Sequence, residues 1–178
     1  MRKLLFIATL LCGMLAITAC GSDSKDEPKP TSANKAEVIY NISFSDVSKY
    51  ATVIVYYVGD NGAKRFDALE KGATSWSRKV TFNSLPTDAG VQLAISPFQE
   101  AEFDKDTYDF SIKATMAIQL YNGSEQFGFA NNYQKELSTQ SNIAKKKAVL
   151  TLANIDGRNW GLNIKKDGTV SAIDMELK

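Results

Sequence analysis

The sequence predicts an all-β domain of antiparallel strands, and two observations carry the prediction. In "YDFSIKATMAIQLYNG", Phe110, Ile112, Ala114, Met116, Ile118 and Leu120 share one face, while Asp109, Ser111, Lys113, Thr115 and Gln119 share the other. This is the period-two alternation of a half-buried strand. In addition, Asn61-Gly62, Asn122-Gly123 and Asp167-Gly168 each separate two such runs. Pairs of this kind supply the positive backbone angles that tight hairpins need.

Taken from the N-terminus, the chain divides into residues 1–19, 20–35 and a single β domain over 36–178. Arg2 and Lys3 precede an apolar stretch from Leu4 to Ile17, interrupted only by Thr9, Cys12 and Gly13. A permanent bilayer-crossing helix needs roughly 20 apolar residues, so this length is that of a secretory signal peptide. The stretch ends in Ile17-Thr18-Ala19-Cys20, which resembles the lipobox of bacterial lipoproteins. That resemblance implies cleavage by a dedicated peptidase before Cys20, whose thiol carries a diacylglycerol with fatty acyl chains such as palmitate. Two or three acyl chains hold a protein on a membrane without a spanning helix. Residues 21–35, "GSDSKDEPKPTSANK", have no aliphatic or aromatic side chain larger than alanine, a composition that gives a flexible tether. Within it, Asp23, Lys25, Asp26 and Glu27 resemble the acidic export signal of Bacteroidota surface lipoproteins. The implied location is the outer membrane, at the cell surface, with the periplasmic face as the alternative.

Strands follow in order. "EVIYNISF" and the run ending "VIVYYVG" come first, and a two-residue turn at Asn61-Gly62 pairs Tyr57 with Phe66 and Val55 with Ala68. "TSWSRKVTF" places Trp76, Val80 and Phe82 on one face, with Arg78 anomalous among them; "VQLAISPF" does the same for Val91, Leu93 and Ile95. The turn at Asn122-Gly123 pairs Ile118 with Phe127 and Met116 with Phe129. Residues 131–147 read as irregular, with a turn or two of helix at Tyr133 to Leu137, and "KAVLTLAN" reads as another strand. The turn at Asp167-Gly168 pairs Ile164 with Ser171, Leu162 with Ile173 and Trp160 with Met175. Each register gathers an apolar face, which a one-residue slip would send to solvent.

About ten such strands with no strong helix make a sandwich or a closed barrel. The run from Tyr40 to Ile95 resembles the immunoglobulin-like and transthyretin-like β-sandwiches of secreted bacterial proteins. An antiparallel immunoglobulin-like sandwich is the expected fold, and a lipocalin-like barrel around an apolar cavity is the alternative.

Composition narrows the chemistry by exclusion. The chain has no histidine, and of its two cysteines, Cys12 and Cys20, only the lipid-bearing one remains after cleavage. Histidine bases, thiol nucleophiles, disulfides and most zinc sites are thereby removed from the folded domain. Cleavage also takes two of the 21 basic side chains, leaving 19 against 20 acidic ones, so nothing points to nucleic acid. Glu100, Glu102, Asp104, Asp106 and Asp109 crowd one loop. Asp104 and Asp106 are the weak candidates for a calcium site, but the Asp-x-Asp-x-Asp-Gly ladder is missing. Trp76 and Trp160 belong to the core by their register, which leaves Tyr121 and Tyr133 as the exposed aromatic candidates for partner binding. The lysines of "IAKKKAV" and "NIKKDG" read as solvated loop and edge residues. The expectation is an envelope lipoprotein that is not an enzyme, has no cofactor, and binds a protein or glycan through its β domain. A carrier of a small apolar ligand is the second reading.

Overall fold

The computed structural model describes residues 31–178. The signal segment, Cys20, and the Asp23, Lys25, Asp26 and Glu27 run lie outside them. The described chain forms an all-β antiparallel sandwich of two open sheets. Its strands are β1 (Lys35–Phe44), β2 (Ala51–Val58), β3 (Lys64–Ala68), β4 (Ser75–Phe82), β5 (Thr87–Pro97), β6 (Thr107–Asn122), β7 (Glu125–Ala144), β8 (Asn159–Ile164) and β9 (Val170–Ile173). One sheet has the order β4-β1-β6-β7 and the other β3-β2-β5-β8-β9. Four strand edges therefore stay open, which overturns the barrel alternative: the inner faces pack on each other instead of closing around a ligand.

The core follows the predicted alternation. Phe110 through Leu120 at every second position of β6 are buried, and they meet Val91, Leu93 and Ile95 of β5 from the opposite sheet within one cluster. Trp76 and Trp160 are buried too. Among the described residues this cluster runs from Ala33 near the start to Leu177 at the end and joins both sheets.

Two polar devices cross the interior. Tyr40 of β1 is fully buried; its hydroxyl donates to the Val58 carbonyl at 2.9 Å and accepts from the Gly90 N–H at 3.2 Å. The β2–β5 ladder ends at Tyr57–Val91, so the next rung, Val58 to Gly90, is carried by a hydroxyl from the other sheet. At the open β3/β4 edge, Asp67 of β3 accepts from Trp76 Nε1 at 2.9 Å and pairs with Arg78 Nε at 2.8 Å. That ion pair explains the anomalous Arg78, and the contact raises the Arg78 pKa.

All three hairpin registers differ from expectation, because none of the loops is the predicted pair of residues. Val58 pairs with Lys64, which leaves five residues in the first loop, and Phe66 consequently faces Tyr56 on the outer surface. Phe66 is 66% exposed. At the last hairpin Lys165 N–H donates to Thr169 O, and Gly168 N–H to Lys165 O. Gly168 has φ +87, so the loop is the three-residue type with a left-handed glycine. Leu162 therefore opposes Ala172, and Ile173 opposes Gly161 on the outer face. There Ile173 and Met175 cover Gly161 and Gly90 so closely that a Cβ on either glycine would lie within 3 Å of them. In the second hairpin Gly123 and Ser124 form the loop, and Leu120 pairs with Phe127. Gly128 to Ala130 then bulge opposite Gln119, so that Tyr133 instead of Phe129 opposes Met116. Phe129 is left 90% exposed.

Two further expectations are corrected. Residues 131–144 continue β7, with no helix at Tyr133 to Leu137. Their alternation is hidden because β7 is an edge strand whose inward positions include Asn131 and Lys135, opposite Ile118 and Ala114. "KAVLTLAN" is a helix, α2 (Ala148–Asn154), with Ala148 and Leu152 buried one turn apart. It carries the chain from β7 in one sheet to β8 in the other, and good helix formers such as Ala and Leu suit that crossing. A four-residue helix, α1 (Val47–Tyr50), joins β1 to β2.

Candidate functional site

The strand directions sort the connections into two ends. Where the described chain begins, Ala33 N–H donates to Lys166 O and Asn34 N–H to Tyr121 O. This entry end therefore holds the 123–124 and 166–168 turns. The other end holds α1 and the 69–74, 98–106 and 145–147 segments, tied together by Gly72 N–H to Ser48 O, Phe98 N–H to Tyr50 O and Lys145 N–H to Asp106 O. Between Tyr121 at one end and Tyr108 at the other runs β6, a span of about 40 Å at ~3.3 Å per residue.

An open cleft of about 450 Å³ lies at this far end, lined by Lys49, Tyr50, Lys71, Phe98 and the acidic segment Glu100, Glu102 and Asp104. Aromatic packing builds its floor. Tyr50 stacks on Phe103 with ring centroids 4.6 Å apart, and both meet Tyr108 edge-on at 5.2 and 5.1 Å. Tyr108 in turn stacks on Phe110 and takes a hydrogen bond from the Lys105 N–H. The 98–106 loop is thus pinned from below by Phe103, with its carboxylates left at the surface.

Each charged group has an assigned neighbour or none. Tyr50 donates to Asp104 Oδ1 at 2.7 Å, and that bond holds the Asp104 carboxyl below its usual pKa. Asp46 pairs with Lys49 at 3.0 Å and Lys105 at 3.2 Å. Lys71 sits 5.1 Å above the Phe98 ring. Asp109 belongs to β6 instead of the loop, and its Oδ1 accepts from the Asn142 N–H. Among the described residues no group of three or more His, Cys, Asp or Glu side chains could hold a metal ion. Asp104 and Asp106 do not converge on a shared point with other carboxylates. The cleft offers hydrogen-bond acceptors, two ammonium groups and one partly exposed aromatic ring. That set suits recognition of a polar surface.

Tyr121 and Tyr133 are both half-buried, which corrects the expectation that they stand exposed. Tyr121 donates to Glu37 Oε2 at 3.2 Å under the Lys35 ammonium, and Tyr133 lies on the inner face of β7 against Met116. Neither joins the far cleft. The polar and aromatic cleft residues without a sequence signal of their own are Lys49, Tyr50, Lys71 and Phe98, which come from three separate connections. Their only signal is that "SPFQEAEF" stops an apolar strand with a proline. The exposure of Phe66 and Phe129 likewise has no signal in the sequence, where the two-residue hairpin turns place each on an inward face. No protein-family model, curated protein or solved structure matches the chain.

Proposed function

We propose that this chain is a lipid-anchored envelope protein, held on the outer membrane through Cys20, whose β-sandwich binds a protein or glycan partner at its far end and carries out no catalysis. One observation carries the reading: the described chain begins at one end of the sandwich, and the open cleft of about 450 Å³ lies at the other. A domain tethered at the first end presents the second to the surroundings. The lipobox-like Ile17-Thr18-Ala19-Cys20 and the small, polar stretch after it supply the anchor and the reach, and Asp23, Lys25, Asp26 and Glu27 direct the domain to the cell surface. The mixture of acceptors and ammonium groups in the cleft supports a polar partner over an apolar small molecule.

The test is made in cells producing the full chain. Labelled fatty acid should be incorporated into the native protein and not into Cys20→Ala, and protease added to intact cells should digest the native domain. Label retained by Cys20→Ala would refute the anchor. Equal protection of the native protein and of a variant with all four tether charges replaced by Ala would refute the export signal.

A further inference from the structure

The far end is electrically divided. Lys145, Lys146 and Lys147 form a 3-10 turn with every side chain exposed, directly beside the acidic loop through the Lys145 N–H to Asp106 O bond. Although adjacent, the two groups do not neutralise each other. Among the described residues, Lys145, Lys146, Lys147, Glu100, Glu102 and Asp106 enter none of the ion pairs. The turn leads into α2, where Val149 is 51% and Leu150 65% exposed. One end of the molecule thus displays three unpaired cations, a matching run of unpaired carboxylates and an uncovered aliphatic pair.

Such a surface is complementary to itself under a two-fold rotation, which sets patch i of one subunit against patch j of the other twice over. We propose that a second copy of this chain docks here, the 145–147 turn of each copy lying against the 100–106 loop of the other, with Val149 and Leu150 brought under cover. This names the partner of the far end and therefore rests on the reading that recognition occurs there. Exposed ion pairs are individually weak, and two sets of them flanking a small apolar contact give a weak, salt-sensitive dimer. Charge arranged in this way steers the approach and fixes the register of the pairing.

The experiment uses residues 31–178, first checked for a cooperative thermal unfolding transition, and measures association by sedimentation velocity over a concentration series. The native segment should dimerise at low salt, with an affinity at least about tenfold weaker once the Debye length has shrunk to ~3 Å in 1 M salt. The triple variant Lys145→Glu, Lys146→Glu, Lys147→Glu should be monomeric. So should Glu100→Lys, Glu102→Lys, Asp106→Lys, whereas an equimolar mixture of the two should recover a salt-sensitive dimer. Unchanged melting curves establish that the variants fold, and Lys→Gln replacements at the same three positions provide a gentler version if they do not. A native segment that stays monomeric throughout, association indifferent to either reversal, or a mixture that fails to associate would each overturn the proposal. Co-flotation of the native segment with vesicles rich in anionic lipid, without self-association, would assign the basic turn to a membrane and overturn it as well. No membrane is needed for the dimer to form, so its failure leaves the lipid-anchor reading standing.

Discussion

Replacing Tyr40 by Phe keeps the ring and removes one hydroxyl, and the structure specifies what that hydroxyl does. It donates to Val58 O and accepts from Gly90 N–H in the interior, where β2 and β5 no longer pair directly. The ring also stacks on Trp76 and meets Tyr57 edge-on, at centroid distances of 6.3 and 6.2 Å; those contacts survive the change. What remains is a buried N–H and a buried carbonyl without their shared partner. Leaving a buried polar group unsatisfied costs about 1–3 kcal/mol. A loss of about 2 kcal/mol lowers the melting temperature of a domain this size by about 4–8 °C. Thermal unfolding followed by circular dichroism reads this, with Tyr133→Phe as the control, since Tyr133 is only half-buried.

A second arm uses alkali. Burial pushes the Tyr40 phenol well above its usual range, whereas the unfolded chain releases that proton near pH ~10. A raised folded pKa gives stability that is complete below the unfolded value and drains away as pH rises beyond it. The native domain should therefore lose stability more steeply above about pH 10 than Tyr40→Phe does. Equal melting temperatures for native and variant at neutral pH, together with parallel alkaline curves, would refute the role given to this hydroxyl.

Three other outcomes follow from the same geometry. Asp67→Ala strips Trp76 Nε1 and Arg78 of a common acceptor, so it should destabilise by about 1–3 kcal/mol in urea and change the tryptophan fluorescence; Arg78→Ala should cost less. Gly161→Ala places a Cβ 2.9 Å from Ile173 Cγ1 and 3.0 Å from Met175 Cβ, and overpacking of that kind costs about 1–3 kcal/mol. Proteolysis should then begin in the C-terminal tail that those residues anchor. Millimolar calcium should leave the melting temperature unchanged; a rise of several degrees that disappears in Asp104→Ala would make Asp104 a ligand after all.

Much of the sandwich was legible because its central strands are two-sided. Six alternating residues of β6 and three of β5 face the core as their period requires, and the resulting sheets needed no further signal. Errors gathered where local chemistry was asked to fix a register. Asn-Gly and Asp-Gly mark a turn without counting the residues in it, and a one-residue shift in register moved Phe66 and Ile173 to the outer face. The edge strand β7 was unreadable for a different reason: with few partners above its inner face, Asn131 and Lys135 are tolerated there, so no alternation remains. α2 shows the limit of periodicity in a seven-residue window, where a strand and a single buried helical pair look alike. The far cleft was half legible. Its carboxylates lie within five residues of one another in sequence, but Tyr50 and Lys71 reach it only through the pairing of the strands beside their connections.

The central claim, attachment at one end and recognition at the other, is tested most directly by photo-crosslinking in intact cells. A photoreactive phenylalanine analogue is placed at Phe98 in the far cleft in one strain and at Lys166 beside the chain entry in another. A discrete, reproducible adduct is expected from position 98 and none of comparable yield from position 166. Adducts from position 166 alone would contradict this proposal, because the partner would then meet the end proposed to face the membrane.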